Sequence, residues 1–196
     1  MKVVRRTNYP KFTDYRRYKQ HVREDFQYCC AYCRLHESAY GLRRSMSIDH
    51  FRPKAQFKDL IADYGNLYYC CGPCNDRKYN HWPDAKQRKR GMRFVDVCRD
   101  EWDDHLEVIN DVIAAKTKAG QYTFEKLKFD RPGLVRRIRD LRIAMEEAAG
   151  GLRRIDQIRQ RDGKILAADS LRNLSEQEAV FRDQLEALRN PAPLVE

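Results

Sequence analysis

Apolar positions along the chain follow two periods. Within residues 13–27, Tyr15, Tyr18, Val22 and Phe26 recur at spacings of three, four and four, which places them on one face of a helix. Thr13 is suited to cap it and Asp14 sits in its first turn. Arg16, Arg17, Lys19 and Arg23 fall mostly off the apolar face, as a solvated basic side or as phosphate contacts. The period then changes. Residues 45–51 (SMSIDHF) alternate Met46, Ile48 and His50, which reads as a short strand, and Pro53 blocks its continuation. A loop over 54–66 closes on Gly65-Asn66. A second strand is expected at 67–70 (LYYC), then a tight Cys71-Gly-Pro-Cys74 turn and a helix over 74–80. Another short strand is expected at 91–98 (GMRFVDVC). Residues 106–128 read as a hairpin around Lys118-Ala-Gly120, with a helix over 106–117 as the alternative.

From 132 to 189 the helical period dominates. Pro132 suits a first turn, and Leu134, Ile138, Leu141 and Met145 share a face. Gly150-Gly151 is expected to stop that helix. A second helix carries Leu152, Ile155 and Ile158, and Ser175-Glu-Gln-Glu178 has the form of a capping box for a third. The expected class is α+β: a small strand-containing core with an N-terminal helix and a mainly α-helical C-terminal region. The expected division is 1–98 and 99–196.

Charge supports that division. The chain has 196 residues and a net charge of +10. Residues 1–98 hold 21 Lys and Arg against 10 Asp and Glu, an excess of +11; residues 99–196 hold 18 against 19, or −1. The whole excess lies in the first half, which suits a polyanionic partner. No apolar run is long enough to span a membrane, and MKVVRRTNYPKF lacks the apolar stretch of a secretory signal. Seven cysteines, an odd number, argue against a secreted disulfide framework. A cytoplasmic, reducing setting and metal ligation are the expectation.

Cys30-Ala-Tyr-Cys33 and Cys71-Gly-Pro-Cys74 each carry the two-residue gap that turns both sulfurs toward one ion. Together they make a four-sulfur tetrahedron for Zn²⁺. Such a closed site leaves no coordination position for a substrate, so the zinc is expected to be structural. The 37 residues between the pairs must fold on their own account. Cys98 reads as a small buried hydrophobe.

That intervening segment contains Asp49-His50-Phe51-Arg52-Pro53-Lys54 and Asn66-Leu67, and runs through Cys74 into Asn75-Asp76-Arg77-Lys78. Cleaving a phosphodiester needs an activated water, charge relief on the phosphate and help for the leaving oxygen. A neutral His can take the proton, and Mg²⁺ can be held by one carboxylate and one amide oxygen. Asp49 and His50 are strand neighbours, however, and pleating alone points them to opposite faces.

Residues 28–80 resemble the HNH endonucleases, whose zinc-bearing members frame an Asp-His strand, an Asn and a helix with two CxxC pairs. The stretches YRRYKQHVREDFQYCCAYC, DHFRPK and RFVDVC are similar to HNH proteins found beside bacterial anti-phage ATPases. The resemblance implies a ββα-metal core and assigns His50 as general base. It makes Asp49 and Asn75 ligands of a catalytic Mg²⁺ or Mn²⁺, and it gives Asn66 the task of pinning the loop that orients His50. The last motif position is Asn75 rather than His, which favours an oxygen-liking ion. His81, which would bring in Zn²⁺ or Ni²⁺, and Asp76 are the alternatives.

Arg52, Lys54, Arg77, Lys78, Lys86, Arg88, Lys89 and Arg90, with Arg43 and Arg44, are expected to form a basic rim for DNA phosphates. Tyr68, Tyr69, Tyr79 and Trp82 are expected to pack around the knuckles rather than stack on bases. The activity implied is metal-dependent hydrolysis of DNA, as an effector of anti-phage defence. A DNA-binding module without catalysis, an effector dependent on a partner such as an ATPase, and an RNA-cutting enzyme are the alternatives.

Overall fold

The computed structural model describes residues 2–41, 45–162 and 168–189. The basic Arg43 and Arg44 lie outside them. The described chain has the α+β composition expected, in two compact units that divide between Val135 and Arg136.

The first unit opens with a 3₁₀ turn, Tyr15–Tyr18, that runs into helix α1, Lys19–Asp25. Asp14, not Thr13, caps it by accepting from the Arg16 N–H. Tyr18, Val22 and Phe26 are buried, as their spacing required. Gln27 and Tyr28 take left-handed backbone angles (φ 51° and 60°) and end the helix. The knuckle at Cys30 follows, tied to the sheet by the Ala31 N–H on the Tyr69 carbonyl at 2.8 Å.

Strand β1, Met46–His50, pairs antiparallel with β2, Leu67–Cys71, in a register that sets Asp49 opposite Tyr68 and His50 opposite Leu67. β2 is buried along its whole length. It leads directly into α2, Gly72–Lys78, then α3, Ala85–Lys89, which Asp84 and Gln87 start with a reciprocal cap.

Residues 91–98 form no strand. Phe94, Val95 and Val97 are buried, but the Val95 N–H is taken by the Thr123 hydroxyl and the Val97 carbonyl by Val3, so no ladder forms. Helix α4, Trp102–His105, follows. The hairpin expected over 106–128 is shorter: β3, Leu106–Ile109, turns at Asn110-Asp111 (φ 51° and 66°) into β4, Val112–Ala115. Two Asx residues tolerate the left-handed turn that a short hairpin needs. Thr117 then caps α5, Lys118–Leu127, so Tyr122 and Leu127 are buried from a helix rather than a second strand.

The first unit extends past residue 98 because 99–135 pack into it. The Trp102 indole donates to the Tyr32 carbonyl at 3.0 Å, and Arg131 reaches Cys74. The break therefore falls at 135 rather than at the 98/99 boundary read from charge.

Helix α6, Pro132–Asp162, continues through Gly150-Gly151 instead of stopping there, and α7, Ala168–Arg189, follows. A Cβ on Gly151 would lie 2.5 Å from the Phe181 ring, so the glycine admits an aromatic side chain from α7. Ser175 sits inside α7 and donates to the Leu171 carbonyl, so no helix starts at the expected capping box. Among the described residues no helix is long and apolar enough to cross a membrane.

Gly120 is the tightest point of the first unit, since a Cβ there would collide with the His105 carbonyl. Gly120→Ala is expected to destabilise the protein by about 3 kcal/mol. Gly65→Ala, whose nearest new neighbour is at 3.5 Å, is expected to cost about 0.5 kcal/mol or less. Urea denaturation of the two variants compares them directly.

Candidate active site and metal centre

The four predicted cysteines converge. The Sγ atoms of Cys30, Cys33, Cys71 and Cys74 lie within 4.8 Å of one another and all four residues are buried. Zn–S bonds of ~2.3 Å give a tetrahedron with edges of about 3.8 Å, and Cys33 and Cys71 are 4.0 Å apart. The donor set and its spacing fit a zinc ion. Cys29, Cys70 and Cys98 stand outside it. Two further residues touch the sulfurs: the Arg131 guanidinium donates to Cys74 at 3.1 Å, and the Tyr40 hydroxyl is 3.1 Å from Cys33. Four thiolates around Zn²⁺ carry a net charge of −2, which such contacts offset. Arg131 lies 57 residues from Cys74, so no local pattern announced it.

Beside this centre, the end of β1 opens into a cleft of about 740 Å³ lined by Asp49, His50, Lys54, Asn75 and, from the N-terminal segment, Tyr15 and Lys19. The His50 Nε2 lies 2.9 Å from the Ile61 carbonyl. A carbonyl can only accept, so Nε2 carries the proton and Nδ1 holds the free lone pair. Nδ1 has no hydrogen-bond partner among the described residues. Burial pushes the His50 pKa below its ordinary value of 6.5, which keeps the ring neutral at pH 7.

Asn66 is buried and fully used. Its Oδ1 accepts from the Arg52 N–H at 2.8 Å, and its Nδ2 donates to the carbonyls of Arg52 and Leu60 at 3.1 and 3.2 Å. It thus staples both ends of the loop that carries Ile61, the partner of His50.

Asp49 is 5% exposed. Its carboxylate accepts from the Tyr32 hydroxyl and from the Lys78 ammonium, which lies 3.1 Å from Oδ2 and 3.3 Å from Oδ1. Lys78 also donates to the His50 carbonyl at 2.8 Å. Its side chain is fully buried, which corrects its expected place on the DNA rim: it is a charge partner inside the protein. Its position four residues after buried Cys74 on α2 was the available signal. A carboxylate offers about four lone-pair positions; these contacts use three, and one remains on Oδ1. With the Asn75 amide on the same cleft, the donors are oxygens and fit Mg²⁺ or Mn²⁺. His81 does not line this cleft, whereas Asp76 does.

The other expected basic residues separate. Lys54 lines the cleft at the end of β1, and Arg52 and Arg88 line a second one. Arg77 donates to the Pro73 carbonyl at 3.0 Å. Lys86, Lys89 and Arg90 are exposed on and after α3. Tyr15, read as a core position, instead packs edge-on to the His50 ring at 4.7 Å. It enters the cleft with Arg16 and Lys19.

Comparison with known proteins agrees with this arrangement. Residues 30–81 match the HNH endonuclease family, so the segment holding both CxxC pairs, Asp49, His50, Asn66 and Asn75 is an HNH endonuclease domain. Septu protein PtuB of Bacillus thuringiensis is 27% identical over 104 residues, covering 52% of this chain and 37% of the relative. No solved structure matches.

Cys74→Ser is expected to lower zinc content from one ion per chain toward none, read by metal analysis of the purified protein. Lys78→Met leaves Asp49 buried without its counter-charge and is expected to cost about 3 kcal/mol or more. That loss is measured by urea unfolding at matched zinc content.

Proposed function

We propose that this chain is a metal-dependent endonuclease that hydrolyses DNA phosphodiester bonds, as an effector of bacterial anti-phage defence. The observation that carries the reading is the geometry at His50: Nε2 donates to the Ile61 carbonyl, which leaves Nδ1 as the basic nitrogen on the cleft that Asp49 and Asn75 also line, and burial lowers the pKa of the ring.

In this reading Nδ1 of His50 takes a proton from water as the oxygen attacks phosphorus. Asn66 and the Ile61 carbonyl hold the ring in register. Lys54 and Lys19 supply positive charge along the cleft for the substrate backbone. When held by Asp49 and Asn75, a Mg²⁺ or Mn²⁺ ion supplies charge relief on the phosphate and the departing 3′ oxygen. Lys78 and Tyr32 keep the Asp49 carboxylate in one orientation. Zinc on the four cysteines is structural, since four sulfurs leave it no open position.

A second reading is an effector that cleaves only with a partner; the likeness to Septu protein PtuB supports a partner within a defence system. The match covers about half of this chain, so activity alone and activity with a partner are separate experiments.

The test is cleavage of supercoiled plasmid with Mg²⁺, Mn²⁺ or chelator, beside an RNA substrate. Nicking or linearisation is expected with either ion and is lost on chelation. His50→Ala is expected to reduce the rate by about 10²–10⁴, with zinc content and circular dichroism unchanged. Full activity in that variant overturns the assignment. Binding without any product, alone or with a partner, would leave a DNA-binding module.

A further inference from the structure

The chain leaves β1 with His50 on the catalytic cleft and Phe51 on another. This second cleft, of about 630 Å³, is bounded by Phe51, Trp82 and several arginines. Its wall is aromatic. Phe51 stacks on Tyr68 with ring centroids 4.7 Å apart, and Trp82 stands edge-on to Phe51 at 5.7 Å. Tyr68 and Phe94 are buried behind this wall, while Phe51 and Trp82 are half-buried and present surface to the cleft.

The charges around it do not cancel. Two of the three carboxylates are paired, Asp100 with Arg93 and Asp96 with Arg99, while Asp63 accepts from the Gly65 N–H and keeps its charge. Arg5 donates to the carbonyls of Tyr64 and Leu67 and lies 3.4 Å from Asp25, which lies outside the cleft lining. Arg52 and Arg88 remain. Arg88 donates to the Pro83 carbonyl, and Arg52 lies 5.8 Å from the Phe57 ring centroid. Neither is ion-paired among the described residues.

Two guanidiniums without an ion-pair partner among the described residues, against one unpaired carboxylate, leave the cleft net positive, and with the half-exposed aromatic wall they match an anion that carries a flat ring. Aromatic faces stack on any base, and arginine forks fit phosphate oxygens in pairs. A cleft of this size falls in the range that holds small ligands. We propose that this second cleft is a nucleotide-binding site, with the base against Phe51 and Trp82 and the phosphate at Arg52 and Arg88. The ligand is either a nucleotide unit of a nucleic-acid strand or a free nucleotide. The site uses neither His50 nor Asp49, so it stands or falls apart from the nuclease reading.

The experiment uses the full zinc-bearing chain carrying His50→Ala, which prevents turnover of the probe. Trp82 reports on the cleft, and Trp102, the only other tryptophan, is buried. Fluorescence is titrated with AMP, ATP, a short oligothymidylate, inorganic phosphate and oligoglutamate. Saturable quenching by a nucleotide probe is expected, absent in Trp82→Phe. Affinity is expected to fall roughly tenfold or more in Arg52→Ala/Arg88→Ala. Quenching by AMP or ATP alone identifies a free nucleotide, and quenching by the oligothymidylate alone identifies a strand. No saturable quenching by any nucleotide in protein of native circular dichroism overturns the proposal. Binding indifferent to the arginine pair, or response to oligoglutamate alone, also overturns it, the last pointing to an acidic peptide.

Discussion

Four buried cysteine sulfurs lie within 4.8 Å of one another, the spacing at which one metal ion binds them all. Such an ion ties distant parts of the chain together. Cys30 and Cys33 lie in the knuckle after α1, Cys71 ends β2, and Cys74 starts α2. The tie is needed because β1 and β2 form a two-stranded sheet among the described residues, and such a hairpin is marginal by itself. Arg131 and the Trp102–Tyr32 bond then draw residues 99–135 around the same centre. The first unit is larger than the HNH segment for this reason.

From that centre the ordering passes to the site through a single helix. Cys74 and Lys78 share one face of α2, so fixing the first at the sulfur cluster places the second beneath β1. A buried ammonium must find an anion, and it finds the Asp49 carboxylate and the His50 carbonyl. One lysine therefore fixes the side chain of the first motif residue and the backbone of the second. The pleat would have separated these two residues; the internal charge pair holds Asp49 while His50 turns toward Ile61.

What the sequence showed was mostly local or strongly periodic. The cysteine pairs, the Asp-His strand, Asn66 ahead of β2 and the α1 face are all short-range patterns, and the geometry places them as their spacing implied. What it hid depended on distant partners. Arg131 and Tyr32 carry no pattern that marks them. Residues 91–98 have the alternation of a strand, but their backbone groups are taken by Thr123 and Val3 rather than by a neighbouring strand. The continuation of α6 through two glycines follows from the Phe181 contact at Gly151, which outweighs a cost of about 1 kcal/mol per glycine. Lys78 is the instructive miss. A lysine beside a nuclease motif reads as a phosphate contact, yet its helical phase with Cys74 pointed inward.

The basic residues form two sets for a reason that lies in the loop after β1. Asn66 binds residues 52 and 60, so the loop stands as a ridge pinned at both ends. His50 and Lys54 fall on one flank, Phe51 and Arg52 on the other. The same amide that holds Ile61 near His50 thus divides the positive surface into a cleft with acid–base groups and a cleft with aromatic ones. If the proposed reading holds, a strand crossing the ridge would meet charge on both flanks but chemistry on only one, and binding and cleavage would be set by different residues of the same six-residue run, Asp49 to Lys54.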